Sequence, residues 1–299
     1  MPRPNRWKVW LFRIFIALLV IILLIAISVV YHMRSNGFLR SPVYETVPPA
    51  IPEITRPALL VFSKTNAFIH KDAIPAAEEM FRQLGTKNGW SVYITENGAV
   101  HNAHDLARFD AIIWNNVTGD VLTSDQREAM QTWIRNGGGW VGLHGAGDSS
   151  SDWDWYINTL VGARFTAHPF PEQFQQASLH PESGDPIVDH LPNPWLRTDE
   201  WYSFEESPRL KGYNVLTTID ESTYKPDFRG KDLHMGNDHP LIWKHCPGKG
   251  RALYSALGHT AESYQEPEYV ALLEKAVSWA AGFSGNACAE APVTVEGQQ

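Results

Sequence analysis

GGGWVGLHGAGD, residues 137–148, decides how the chain reads. A short apolar run, Trp140 to Leu143, passes directly into a turn of small residues. That is how a parallel strand enters a nucleophile elbow, where a sharp turn lifts one side chain above the end of a sheet. The elbow position holds His144 where serine or cysteine would stand. Neither Cys246 nor Cys288 can occupy it, so thiol chemistry is excluded there. An imidazole in that place can act as acid or base near neutral pH, or ligate a metal.

On both sides of the elbow, short β-like runs alternate with helical patterns, the mark of a parallel sheet covered by helices. Expected strands are Ala58–Phe62, Ser91–Thr95, Ala111–Trp114, Trp140–Leu143, Gln175–Leu179, Asn214–Ile219, Leu241–Lys244 and Arg251–Leu257. Expected helices are Ile74–Leu84, with Pro75 in its first turn and Gly85 as its stop, and one opened by a Thr123/Gln126 capping box. Two more are Asp152–Val161, closed by Gly162, and Pro267–Ala281. The fold class is α/β with a flavodoxin-like core and a strand-rich second half.

Charge divides the chain. Residues 1–40 carry Arg3, Arg6, Lys8, Arg13, Arg34 and Arg40 and no acid, hence +6; the whole is -8, so residues 41–299 carry -14. An acidic body of this kind repels nucleic acid, and nucleic-acid binding is set aside. Ile14 to Tyr31 is uncharged and apolar, long enough to cross a bilayer, with Trp7 and Trp10 at an interface position. The expected organisation is a membrane anchor at 1–34, with residues 10–31 in the membrane, a Pro-rich tether at 35–56, one folded domain at 57–283 and a polar tail at 284–299. The basic N-terminal flank favours an N-inside, single-pass orientation in the cytoplasmic (inner) membrane, with the body in a periplasm-like space. Cleavage near Ala26-Ile27-Ser28 is the alternative. Cys246 and Cys288 could pair in such a compartment.

Ligands of open α/β sheets bind beyond the carboxyl ends of the strands. Three histidines, His70, His144 and His259, follow strands there. Together with Glu200 and Asp148 they are the candidate acid–base groups: His144, Glu200, His259 and Asp148 as catalytic residues, Asp148 orienting the His144 ring. A structural ion pair of Glu200 with Arg251 is the plainer reading. His70, Trp153, Tyr156, His168, Tyr202, Asp238 and His239 are candidate substrate-binding residues, the aromatic ones as platforms for a sugar ring. A divalent metal such as zinc, held by His70, His144 and His259, is a variant; no close histidine pair in sequence supplies it, so its ligands must assemble from afar.

Taken as a set and in order, FIHKDAIPAA (68–77), GGGWVGLHGAGD, WDWYINTLVGARFTAHP (153–169), DEWYSF (199–204), DHPLIW (238–243) and GKGRALYSALGH (248–259) resemble the ThuA-like (trehalose-utilisation) family. The resemblance implies a class I glutamine amidotransferase-like fold and a small-molecule carbohydrate as partner, without fixing a mechanism. The chain departs from the family pattern at Ile69 and Ala73, and its segment around His180 and His190 matches loosely. The leading expectation is a membrane-anchored enzyme performing hydrolysis, elimination or isomerisation on a sugar or keto-sugar; a non-catalytic carbohydrate-binding or scaffolding module is the alternative.

Overall fold

A computed structural model describes residues 6–285 and 288, in two compact units, residues up to Ser41 and residues from Pro42 onward. The first is dominated by α1 (Arg6–Ser35), a helix of 30 residues with no buried side chain. At about 1.5 Å per residue it exceeds the roughly 30 Å of a bilayer core, so it is long and apolar enough to span a membrane. A signal sequence meets the same criteria.

In the second unit the sheet begins with five parallel strands: β1 (Ala58–Phe62), β2 (Ser91–Thr95), β3 (Ala111–Asn115), β4 (Gly139–Leu143) and β13 (Arg251–Ser255). β1, β3, β4 and β13 are buried at every residue, which is why they read as unbroken apolar runs. Helices α2 (Ala73–Asn88), α3 (Ala103–Leu106), α4 (Ser124–Arg135) and α5 (Pro267–Ala280) complete this half. The Thr123/Gln126 capping box forms at the start of α4.

The strand-rich second half contains β5 (Phe165–Ala167), β6 (Phe174–Pro181), β7 (Trp195–Glu200), β8 (Ser203–Phe204), β9 (Asn214–Ile219), β10 (Asp227–Phe228), β11 (Lys231–Asp232) and β12 (Pro240–His245). The nine-stranded order is β2-β1-β3-β4-β13-β12-β9-β6-β7, antiparallel from β12 outward. β5 with β8 and β10 with β11 form separate pairs.

β6 pairs with β9 only through Leu179 to Pro181, whereas its pairing with β7 runs from Phe174 to Leu179. The free part of this hairpin therefore leaves the sheet. β7 stands five steps from β4 in strand order, about 24 Å in a flat sheet, yet Glu200 touches His144. Twist and the hairpin's departure bring its open end, where Phe174 pairs with Glu200, over the carboxyl ends of β4 and β13.

Two expectations are corrected. Gly85 does not stop α2, which runs on to a left-handed cap at Gly89 (φ 69°). A Cβ at Gly85 would lie 2.6 Å from Val92 Cγ2, so its role is close helix–strand approach. The helix expected over 152–161 is helical only from Asp154, adopts the wider π form from Tyr156 to Val161 and ends at Gly162 (φ 85°). Cys246 and Cys288 are joined by a disulfide with Cα atoms 5.8 Å apart.

Much of the segment read as a free tether is docked on the body. Val43 exchanges hydrogen bonds with the Asn66 side chain, Tyr44 donates to Asp120, and Asn97 donates to the Val47 carbonyl. Glu45 takes the nearly buried Lys64 ammonium on one oxygen and the Gly98 N–H, at 2.8 Å, on the other. Asn66, Gly98 and Asp120 each follow a strand, so this strap crosses the carboxyl-end edge of the sheet. Glu45→Ala strands a buried cation; because the carboxylate is partly exposed, the expected loss is about 2 kcal/mol, read as a lower urea midpoint for the full chain in detergent.

Candidate functional site

Three strand ends and the open end of the β6–β7 hairpin deliver His70, His144, His259 and Glu200 to one place. One potential ligand atom from each lies within 4.8 Å of the others. His144, His70 and Glu200 are buried, and His259 is half-buried.

His144 follows β4 directly, with φ at 43°, the left-handed conformation a sharp elbow demands. Its neighbours must be small. A Cβ at Gly145 would come within 2.9 Å of His70 and Thr118, and one at Gly147 within 2.1 Å of the Tyr254 hydroxyl. That hydroxyl donates to the His144 carbonyl at 2.8 Å, and Tyr156 donates to Ala146 at 2.6 Å, fixing the turn from behind.

The imidazole is oriented by backbone. His144 Nδ1 lies 2.8 Å from the Ala256 carbonyl, an acceptor only, so Nδ1 carries the proton. Nε2 then points at Glu200 Oε2 (3.1 Å) and His259 Nδ1 (2.9 Å), and those two atoms are 3.0 Å apart. The other Glu200 oxygen faces His168 Nδ1 at 3.1 Å and accepts from Gln173. Burial pushes the His144 pKa down, but hydrogen bonding to Glu200 and its charge win, and the net shift is upward. Burial alone would raise Glu200; the two histidines overcome it and hold the carboxyl far below its usual range. His70 goes the other way, well below 6.5, through burial and then the neighbouring imidazoles. Its Nδ1 is buried without a hydrogen-bond partner.

The geometry suits a divalent cation. In a tetrahedral zinc site with bonds of roughly 2.0–2.1 Å, adjacent ligand atoms stand about 3.4 Å apart; three of the four side chains here converge at 2.9–3.1 Å. Nitrogen and carboxylate donors in this mixture fit zinc and similar transition ions.

Asp199, on the same strand as Glu200, fixes the third histidine. Its wholly buried carboxylate accepts from the backbone N–H groups of Gly258 (2.9 Å) and His259 (3.1 Å), from Arg197 Nη2 (3.0 Å) and from Ser263 (3.3 Å).

The remaining sequence candidates fall into two groups. His168 and Tyr202 lie at the cluster, the Tyr202 ring 4.3 Å from that of His144. Asp148 lies close enough to feel the charges of His144 and Glu200 but does not orient His144; the Ala256 carbonyl does. The residue has open surface, yet surrounding protein pushes its carboxyl up to about 6. Exposure combined with desolvation is what a concave crevice produces. Trp153 and Tyr156, in contrast, are packed together in the core, ring centroids 5.5 Å apart, and offer no platform. Asp238 pairs with Arg209. His239 is wholly buried between Glu221 and the Tyr202 carbonyl, where it props the chain behind Tyr202. Arg251 binds the carbonyls of Trp279 and Ser284 instead of Glu200. His180 and His190 are exposed and bonded to Asn193 and the Glu268 carbonyl.

Phe68, Gln173 and Phe174 belong to the site and were not singled out from sequence; Asp199, passed over for Glu200 because adjacent carboxylates of an extended chain point in different directions, belongs to it as well. Phe68 and Phe174 flank His259, at 6.2 and 5.0 Å between ring centroids. The available signal was position: Phe68 is two residues from His70, and Gln173-Phe174 opens the strand that pairs with Glu200.

Residues 58–280 match the family model described as ThuA, trehalose utilisation. No curated protein matches the chain. Among solved structures, a ThuA-like protein from Bacteroides uniformis aligns at 25% identity and TM-score 0.66, over 78% of this chain and 95% of that one. A ThuA-like protein from Parabacteroides merdae aligns at 18% identity and TM-score 0.55, over 79% and 93%, a likeness of fold alone. With the family model covering most of the chain and a ThuA-like solved structure sharing its fold, this protein belongs to the ThuA family.

Proposed function

We propose that the protein is a membrane-anchored enzyme of the extracytoplasmic space that acts on a sugar or keto-sugar derivative at a zinc-type centre held by His70, His144, Glu200 and His259. The convergence of these four side chains is the observation that carries the reading. Hydrolysis, elimination and isomerisation of such substrates share one requirement, a group that moves a proton beside one that stabilises developing negative charge on oxygen. A divalent cation supplies the second by polarising the oxygen it binds. The protein supplies the rest. His168 and Gln173 hold the outer oxygen of Glu200, Ala256 fixes the His144 tautomer, and Asp148 faces the crevice as the proton-transfer group. The family's description, trehalose utilisation, supports the carbohydrate class.

The test is elemental analysis of full-length protein purified without chelators, followed by incubation with trehalose, other glucosides and their 3-keto forms. About one zinc per chain is expected, with turnover lost on chelation and restored by zinc. Full activity without metal would remove the metal from the reading; binding without turnover across the panel would leave a carbohydrate-binding module.

Asp148 gives the reaction its pH dependence. As a base it works deprotonated, so kcat/KM should rise tenfold per pH unit below about 6 and level off above. Asp148→Asn should abolish that limb. A raised carboxyl also favours the folded state when protonated, so native stability falls as pH rises from about 4 to 6. Relative to wild type, the Asn variant should gain stability across that window; pH-resolved melting checks the sign.

A further inference from the structure

Phe174 keeps 48% of its surface exposed although it pairs, in the β6–β7 register, with the nearly buried Glu200. Its ring meets His259 edge-on, 5.0 Å between centroids at 69°. Phe68 also neighbours this imidazole, 6.2 Å from it and 4.9 Å from His70. A phenyl ring left open beside a buried cluster of ionisable groups forgoes burial, and its strand neighbour two residues along, Gln176, is polar and also exposed. His168, bonded to the Glu200 that Phe174 pairs with, offers a polar edge with about a quarter of its side chain exposed.

We propose that Phe174, backed by Phe68, is the stacking platform of the substrate mouth and takes the apolar C–H face of a gluco-configured pyranose ring. This rests on the carbohydrate reading above and assigns the subsite that the core-packed Trp153 and Tyr156 do not provide. Rings whose hydroxyls are all equatorial present C–H groups to a flat aromatic surface while their hydroxyls reach the polar side chains around it. A phenyl donates no hydrogen bond, so it selects the shape of the face rather than any single hydroxyl. The platform adjoins His259, and a ring stacked there has its edge toward the buried centre.

Calorimetry with trehalose and methyl α-D-glucopyranoside on the full-length protein in detergent tests this. Phe174→Ala should weaken binding about tenfold, the stacking increment expressed as affinity, while Phe174→Trp should hold or improve it. In turnover, the Ala variant should raise KM more than it lowers kcat. Binding by Phe174→Ala within twofold of wild type overturns the platform, as does loss of binding in Phe174→Trp or failure of wild type to bind either glucoside. The reading of the centre fails separately, through unaltered turnover by His144→Asn.

Discussion

His144→Asn is expected to leave a folded protein that has lost its chemistry. Asparagine is the informative replacement because it tolerates positive φ better than most residues, and position 144 sits at 43°. The main-chain anchor of the elbow, the Tyr254 hydroxyl bonded to the residue 144 carbonyl, does not depend on the side chain. The fold should therefore lose the bond to the Ala256 carbonyl, about 1 kcal/mol, and the contact with Glu200, whose carboxylate keeps His259, His168 and Gln173. The site loses far more. Asparagine does not restore a ring nitrogen 2.9 Å from His259 and 3.1 Å from Glu200, so the convergence of donors is broken. Changes one shell further out typically lower metal affinity 10–100-fold, and removing a donor should exceed that. With acid–base effects of 10²–10⁴, turnover should drop on the order of 10³-fold. Zinc retained through dialysis and the specific rate are the measurements. Near-wild-type values for both would refute the assignment of this histidine.

What the sequence disclosed follows from which physical pattern each element obeys. β1 and β4 are buried on both faces, so ALLVF and GWVGL announce themselves as apolar runs ending at polar turns, and three histidines could be aligned on one sheet edge. β7 was invisible for the opposite reason. Its buried residues include Arg197, Asp199 and Glu200, which bond to one another and to their neighbours, Arg197 through Nη2, instead of contributing an apolar face. Hydrophobic periodicity cannot detect a strand whose inward side is charged. The choice of Glu200 over Asp199 as the residue facing the crevice rested on their opposite directions in an extended chain. Both turn out to serve the same histidine, one at its ring and the other at its backbone. The aromatic platform was sought among the tryptophans because they are numerous. Trp153 is instead packed against Tyr156 beneath Arg127, and the rings at the mouth are phenylalanines whose positions depend on a hairpin fold-back with no local signature.

Asp199→Ala should be the most damaging substitution for stability. The carboxylate has no exposed surface and gathers donors from three segments: Arg197 and Glu200 of its own strand, the Gly258-His259 turn after β13, and Ser263 in the short helix at Glu262–Gln265. It is the clamp between the folded-back hairpin and the sheet end. Alanine removes this acceptor from the backbone N–H groups of Glu200, Gly258 and His259 and takes the nearest counter-charge from Arg197, whose side chain is 3% exposed and keeps Ser263 and, at 3.4 Å, Glu266. Loss of one partner from a buried ion pair costs about 3–5 kcal/mol, which for a domain of this size lowers the melting temperature by roughly 10 °C. Asp199→Asn, which keeps one acceptor oxygen, should cost less. A purely structural clamp would change melting alone. Because Asp199 also fixes the backbone of His259, zinc affinity should fall 10–100-fold in the Asn variant even at temperatures where it is fully folded. Unchanged metal affinity in folded Asp199→Asn protein would show that the hairpin, and not the position of His259, is what this carboxylate serves.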